Sequence, residues 1–418
     1  MSWLKHSTLT IALIAMPHLA AAKESAVPLS EIQSFVESFE MISQGYVTEL
    51  SDRDILNKTL KGMVSALDPH SEYLTKEEVE EFSRVTSGKY AGIGVEIEIR
   101  NNQLTVIAPI GDSPAALVGI LAGDRILRID GTLVNGMGLQ EVITLMRGKA
   151  GTEIQITVAR EEDIKEFTIT RELIQSFSVT NKWLDNDIAY IRITQFQGST
   201  GNEFEKALLN MQEEKTLQGL VLDLRNNPGG VLQGAVAVVD ALLQDGLIVY
   251  TDGRHKTSKT QFNATQNQIL GPVPIVVLVN SGSASASEIV AGALQDHKRA
   301  VIMGSETFGK GSVQTVIPLT DGSAMKLTTA LYFTPNGRSI QAQGIIPDMI
   351  VPQAELVLEE SSFFVKEADL NGHLANGRGG KDKNSIEVNE TLDEVATTDF
   401  QLFQALSVLK AFPKLATQ

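Results

Sequence analysis

The sequence predicts a mixed α/β protein: a largely parallel sheet flanked by helices, preceded by a small mixed domain and by N-terminal helices. Three observations carry this. From about Asn181 to Gly304, short apolar runs alternate with helical patterns, as in strands joined by crossover helices. From about Gly88 to Thr170 the apolar period is two, with turns marked by Gly and Asn. Before residue 85, apolar side chains recur at helical spacing.

The first 22 residues read as a secretory leader. Lys5 supplies the positive start, TLTIALIAMPHLA a short apolar stretch, and Ala20-Ala21-Ala22 a small-residue cleavage site, so cleavage after Ala22 is expected. The apolar stretch is shorter than the roughly 20 residues of a spanning helix, and Pro17 interrupts it. Residues 30–84 read as helices. Ile32, Phe35, Val36, Phe39 and Ile42 form one stripe, opened by a capping-box pattern at Ser30 and Gln33. Ile55, Leu56, Leu60, Met63, Val64 and Leu67 form a second, and LDPHSEYL breaks it. These helices suit a bundle or a dimer interface.

YAGIGVEIEIRNNQLTVIAPI reads as strand, turn at Asn101-Asn102, strand. SPAALVGILAGDRILRIDG adds a short helix and a strand, and GLQEVITLMRGKAGTEIQITVARE a helix and a strand. In the larger part, DIAYIRITQF, GLVLDL, LIVYTD, PIVVLV and RAVIMG read as strands. GNEFEKALLNMQEE, VLQGAVAVVDALLQD and SEIVAGALQDH read as helices. A hairpin is expected around Asp321-Gly322. Residues 366–398 are polar and rich in Gly and Asn, which suggests a mobile segment, and an amphipathic helix over about 398–411 ends the chain.

The composition excludes several functions. The chain has 418 residues, enough for two or three domains, and 43% are apolar. A net charge of −16 argues against a nucleic-acid partner, which needs clustered Lys and Arg. There is no cysteine, so thiol nucleophiles, disulfides and Cys-built metal sites are ruled out, and an oxidising compartment is permitted. Of six histidines, His6 and His18 lie in the leader. The other four, His70, His255, His297 and His373, are scattered and outside any HExxH pattern. No metal or organic cofactor is expected.

The stretch VNSGSASASEIVAG, Val279 to Gly292, places four serines where an apolar strand gives way to a helix. Helix N-termini carry unpaired N–H groups, and with the helix dipole these stabilise a developing oxyanion. Ser285 and Glu288 also fit a capping box, so Ser285 reads either as a cap or as a nucleophile. A nucleophile needs a base. His297 would sit about 18 Å down the same helix at about 1.5 Å per residue, and reads better as a helix C-terminal residue. Lys310, in ETFGKGSVQ after the strand RAVIMG, emerges at the same sheet edge as Ser285. A lysine acts as base where burial favours its neutral form. Gly304 to Gly311 nearly matches a P-loop, but Gly311 stands where a Mg²⁺-binding hydroxyl is required and a strand pattern follows. DLRNNPGGVL, Asp223 to Leu232, reads as strand, Pro-Gly-Gly turn and helix, with glycine amides exposed as anion donors.

Taken together, LDPHSEYL, YAGIGVEI, RGKAGT, DLRNNPGG, the serine segment, TFGKGSVQ and PNGRSIQAQGIIPD resemble, in order, the blocks of the C-terminal processing (tail-specific) serine peptidases. The resemblance covers nearly the whole chain after the leader. It implies a crotonase/ClpP-like α/β peptidase core with an inserted PDZ domain. It implies Ser285 as nucleophile, Lys310 as general base and Gln314 as the residue orienting the lysine. The oxyanion hole would be the Ala286 amide with an amide from Gly229 or Gly230, leaving Ser283 and Ser287 to pack or cap. Residues 85–165 resemble a PDZ domain, with Ala91, Gly92, Ile93 and Gly94 as the loop that captures a substrate's C-terminal carboxylate while the tail adds as a strand. Arg147 would couple the two domains.

The expected organisation is therefore a signal peptide over 1–22, helices over 23–84, PDZ over 85–165, peptidase over 166–360, and a flexible segment with a final helix over 361–418. The expected activity is that of an exported, periplasmic or otherwise extracytoplasmic serine endopeptidase. Its partners would be protein substrates with unstructured apolar C-termini. An adaptor protein is a candidate partner, and a homo-oligomer is expected. Two alternatives stand beside it. One is a PDZ scaffold whose peptidase half is latent or inactive. The other is an acyl-transfer enzyme, which would need a coenzyme A pocket that no motif supplies.

Overall fold

The computed structural model describes residues 28–100, 103–111, 113–184, 187–354, 370–374, 395 and 397–415. The expected leader, the expected turn at Asn101-Asn102 and most of the polar segment 366–398 lie outside the described residues. The chain divides into two units, Met1–Met63 and Val64–Gln418. In the first, α1 (Leu29–Gly45) starts directly after Pro28, whose fixed φ of −58° suits a helix entrance. Ser30 consequently lies inside the first turn. Its hydroxyl bonds the neighbouring Glu31, and the expected Ser30–Gln33 capping box does not form. No residue of α1 is buried. Helix α2 (Asp52–Ser65) follows.

The second unit corrects the helical reading of residues 30–84. After Asp68-Pro69, β1 (Glu72–Leu74) is a strand. The Asp68 carboxylate accepts from the amides of His70 and Ser71 at 2.8 and 2.9 Å, turning the chain where proline disfavours a helix. Helix α3 (Lys76–Ser87) then forms under a Thr75–Glu78 capping box and stops at Gly88, whose φ is +69°.

The small mixed domain hangs on a two-stranded ribbon, β2 (Lys89–Gly92). Its sheet is built from β3 (Val95–Arg100), β4 (Gln103–Pro109), β5 (Arg125–Ile129), β6 (Thr132–Leu133), β7 (Glu153–Arg160) and β8 (Asp163–Thr170), with α4 (Pro114–Leu117) and α5 (Leu139–Met146). The second ribbon strand, β9 (Glu172–Gln175), pairs antiparallel with β2, so the chain arrives and leaves at one point. Ile93, Val106, Ile120, Ile129 and Ile156 are among the buried core of this domain.

In the larger part come β10 (Val179–Trp183), β11 (Ile188–Ile193), α6 (Thr200–Glu214), β12 (Gly219–Asp223), α7 (Leu232–Asp240), β13 (Leu247–Asp252), β14 (Thr260–Asn263), β15 (Ile275–Val279), α8 (Ala286–Asp296), β16 (Val301–Gly304), β17 (Ser312–Pro318), β18 (Ala324–Phe333), β19 (Met349–Ile350) and α9 (Phe400–Leu415). The main sheet runs β10-β11-β12-β15-β16-β19 and is parallel except for β10. Every residue of β12 and β15 is buried, as continuous apolar strands of a parallel sheet should be. Leu220, Leu222, Val277 and Val279 pack with the residues of α6 to α8, while Val221, Val276 and Leu278 pack with Leu402, Leu406 and Leu409 of α9. The final helix thus covers one face of the sheet.

LIVYTD was expected among these strands, but β13 belongs to a second, antiparallel sheet of order β1-β18-β13-β14, with β17 on β18. Its apolar run suits either kind of strand; partner choice is set by the β17/β18 hairpin, which turns at Leu319–Ser323 as expected. Among the described residues, no helix is long and apolar enough to cross a membrane. Helix α9 is anchored by Arg225, which bonds Asp399 at 2.7 and 2.8 Å while also binding Asp223. Leu406 is fully buried on this helix. Leu406→Ala should therefore lower unfolding stability by about 2–5 kcal/mol in urea titrations; an unchanged midpoint would show that α9 is not part of the folded core.

Candidate active site

Three loops meet at the carboxyl ends of adjacent parallel strands, the edge where open α/β sheets bind ligands. After β12 comes the Asn227-Pro228-Gly229-Gly230 turn, after β15 the serine segment, and after β16 the Lys310 loop. Ser285, Lys310, Gln314, Gly229 and Gly230 line one cleft of about 850 Å³.

Ser285 caps α8 with φ +55° and ψ −111°, a backbone state that costs a non-glycine residue about 1–3 kcal/mol. Neighbours hold it there. Asn227 accepts from Ala284 N–H at 3.0 Å and from the Ser287 hydroxyl at 2.9 Å. Ser283 donates to Leu224 O at 2.8 Å. Ser285 and Glu288 form the expected capping box, in which Glu288 accepts from Ser285 N–H at 2.7 Å. The serine is 8% exposed, with its side chain on the cleft.

The glycine turn fits closely against it. A Cβ on Gly229 would lie 2.8 Å from Ser285 Cβ and 2.9 Å from Ala286 N, and its φ is +95°. Only glycine permits that approach. The Gly229 amide is already donated to Asn227 Oδ1 at 2.9 Å. Among the described residues, neither Gly230 N–H nor Ala286 N–H, the first amide of α8, has a backbone acceptor. A Cβ on Gly230 would strike Phe196 O at 2.0 Å, so this position too requires glycine.

Glu288, fully buried, joins the serine segment to the lysine loop. One carboxylate oxygen accepts from Ser285 N–H at 2.7 Å and from Lys310 N–H at 2.9 Å. The other accepts from the Thr307 hydroxyl at 2.6 Å and from Gly309 N–H at 2.7 Å. The side chain of Lys310 is half-buried, and among the described residues no hydrogen bond or ion pair holds its ammonium. Burial, reinforced by Lys326, pulls Lys310 below the ordinary lysine range, against an opposing pull from Asp68. Gln314 donates to Ser312 Oγ at 3.0 Å and to Thr328 Oγ1 at 3.2 Å, not to the lysine. Thr328 in turn donates to Asp68 at 3.1 Å.

Several of these parts carry little signal in the sequence. Glu288 registered only as a capping partner. LDPHSEYL carried no visible chemistry, yet Asp68 reaches Gln314 through Thr328, and His70 lines the cleft. The Asp-Pro break was the available signal. His297 ends α8 and bonds Leu247 O at 2.7 Å, a structural role as expected. The near P-loop leads into strand β17, not a helix. Among the described residues, no group of three or more acidic or His side chains is placed to hold a metal ion.

A second cavity, of about 440 Å³, opens in the small domain. Gly92, Ile93 and Gly94 line it together with Ile97, Ile143 and Met146. Ala91 does not: it sits in the β2/β9 ribbon opposite Leu173. Gly94 has φ +75°, and its carbonyl accepts from Ile110 N–H and Ser113 Oγ. Arg147 lies at the cavity wall, 5.7 Å over the Tyr90 ring, and binds Glu81 of α3 at 2.8 Å.

These features accord with known proteins. The profile of peptidase family S41 matches residues 187–351, and that of the PDZ domain matches residues 91–170. A carboxy-terminal-processing protease of Bartonella bacilliformis is 41% identical over 384 residues, covering 90% of this chain and 88% of its own. A CtpA-like serine protease of Staphylococcus haemolyticus is 34% identical over 397 residues, covering 92% and 79%. Among solved structures, a photosystem II D1 C-terminal processing protease matches at 30% identity and a TM-score of 0.46, over 78% of this chain and 94% of its own.

Because four donors converge on Glu288, Glu288→Ala should lower the unfolding free energy by at least about 2 kcal/mol, measured by denaturant titration. A variant as stable as the parent would show that the two loops hold their positions without it.

Proposed function

The chain belongs to peptidase family S41, and from that premise we propose that it is an exported endopeptidase that docks apolar C-terminal tails on its PDZ domain and cuts with Ser285 and Lys310. The family assignment makes it a serine peptidase of the C-terminal processing type with a PDZ domain. The observation that supports the residue roles is a strained, buried serine sharing one cleft with a half-buried, unpaired lysine.

In the proposed reaction, neutral Lys310 Nζ takes the Ser285 Oγ proton as Oγ bonds the peptide carbonyl carbon. The resulting oxyanion accepts from Ala286 N–H and Gly230 N–H, the two amides left free at the turn. Gly229 serves by letting the turn approach the serine. As the C–N bond breaks, the Lys310 ammonium returns its proton to the leaving amine. Water, deprotonated by Lys310, then hydrolyses the acyl-enzyme. Gln314 is held by its amide nitrogen to Ser312 and Thr328, which leaves its carbonyl oxygen as an acceptor for the lysine.

The PDZ cavity, walled by Val95, Ile97, Ile107, Ile143 and Met146, suits an apolar tail side chain. The amides of Gly92 to Gly94 are the proposed carboxylate site, without Ala91. The pattern of residues 1–22 supports export to the periplasm or another extracytoplasmic space. The exposed stripe Ile32, Phe35, Val36 and Ile42 of α1 supports a homo-oligomer.

Ser285→Ala and Lys310→Ala should each abolish cleavage of an unfolded protein with an apolar C-terminus while leaving circular dichroism unchanged. Cleavage at the parent rate by either variant would overturn the assignment. A Cβ at Gly92 would already lie 3.1 Å from the Tyr90 ring. Gly92→Trp should therefore raise KM for tail-bearing substrates about tenfold or more, equivalent to roughly 1.4 kcal/mol of lost binding. Equal effects on tail-less substrates would contradict tail capture at this loop.

A further inference from the structure

Lys326, a second lysine on the cleft wall, has no part in the reaction so far. It lies on β18 opposite Val316 of β17, while Gln314 faces Thr328. Side chains two apart on a strand share a face, so Lys326 and Thr328 form one row beside Val316 and Gln314. The Lys326 side chain is only 22% exposed. Its ammonium sits 2.8 Å from Glu72 of β1 and 5.9 Å from the centre of the Phe82 ring of α3. Glu72 and Phe82 line the same cleft. The charge is thus fixed in place by a carboxylate on one side and an aromatic face on another.

We propose that Lys326 is a positioning residue of the reaction: its ammonium, anchored by Glu72 and Phe82 on the cleft that Lys310 also lines, favours the neutral amine that takes the Ser285 proton. The proposal rests on reading Lys310 as the base. A lysine beside another cation in a partly desolvated site loses its proton more readily than one in water. The other groups around Lys310 do not supply that push. Segment 68–74 contributes Asp68, His70 and Glu72; β18 contributes Tyr332 besides Lys326; α8 contributes Glu288. Burial, with Lys326 nearby, holds His70 below the ordinary histidine range, which disfavours its charged form. Burial pushes Tyr332 up to about 12, so it too is uncharged. Glu288 is saturated by backbone and hydroxyl donors. Glu72 is paired with Lys326 itself. Asp68 acts in the opposite sense, and hydrogen bonds from His70, Ser71 and Thr328 favour its ionised form, so its pull on Lys310 opposes that of Lys326.

The sign of the effect is fixed. The base must be unprotonated, so kcat/KM falls as pH drops through the Lys310 titration, and the acid limb reports that value. Replacing Lys326 by a neutral side chain raises the Lys310 titration and moves the limb to higher pH. We expect Lys326→Gln to shift it upward by about one pH unit, with about tenfold lower kcat/KM on the limb and recovery at alkaline pH. Lys326→Arg, which keeps the charge, should leave the limb in place. A lower plateau with an unmoved limb in Lys326→Gln would mean that the residue only staples β18 to β1, and would overturn the proposal. Should Lys326→Gln be too weakly folded for kinetics, side-chain NMR of Lys310 in full-length Ser285→Ala, with and without Lys326→Gln, replaces them. A higher Lys310 titration in the double variant supports the proposal, and an identical one overturns it. Loss of the base reading is recognised separately, by an active Lys310→Ala; an inactive Lys310→Ala with an unmoved limb in Lys326→Gln removes only the role of Lys326.

Discussion

One buried carboxylate ties the two halves of the site together. Glu288 receives Ser285 N–H and Lys310 N–H on a single oxygen, and Thr307 and Gly309 on the other. The serine segment and the lysine loop follow different strands, β15 and β16, which the sheet sets side by side. Parallel pairing brings loops to one edge but does not fix them in register. Shared hydrogen bonds to a rigid helical side chain do, and charge-assisted bonds of this kind are about twice as strong as neutral ones. The same contact helps hold Ser285 at φ +55°, a strained state that exposes its hydroxyl to the cleft and frees the following amide.

The second constraint is electrostatic. A lysine is a useful base only when the protein disfavours its charged form, and two levers act here: burial and Lys326. The antiparallel sheet carries the second lever. Its β1 strand brings Glu72, and β18 brings Lys326, to the wall opposite the serine turn. The larger part of the chain is therefore two sheets with separate duties. The parallel one brings Ser285, Lys310 and the glycine turn to one edge; the antiparallel one brings Glu72 and Lys326 to the same cleft.

Much of this was legible in the sequence because it follows from local rules. Fully apolar runs such as GLVLD and IVVLV become buried parallel strands, and a small-residue segment after one of them becomes a strand-to-helix turn. Ser285, Lys310, Gln314, Gly229 and Gly230 all line one cleft. The failures share a cause, namely dependence on partners far away in sequence. LIVYTD has the same pattern as its parallel neighbours, and only pairing with β18, some 80 residues on, assigns it to the other sheet. Asp68 meets Thr328 across 260 residues. Ala91 faces Leu173 rather than the cavity because the two ends of the PDZ domain pair as a ribbon. At Ser30 a local rule lost to a stronger one, since Pro28 starts the helix first.

The central claim is that Ser285 is a nucleophile whose reactivity depends on an uncharged Lys310. It is tested most directly by labelling the chain with a fluorophosphonate across a pH series and locating the adduct by peptide mass spectrometry. The account predicts a single adduct on Ser285, with a labelling rate that rises with pH through one ionisation below the ordinary lysine value and vanishes in Lys310→Met. An adduct on another residue, or Ser285 labelled as fast without the lysine amine, would contradict it.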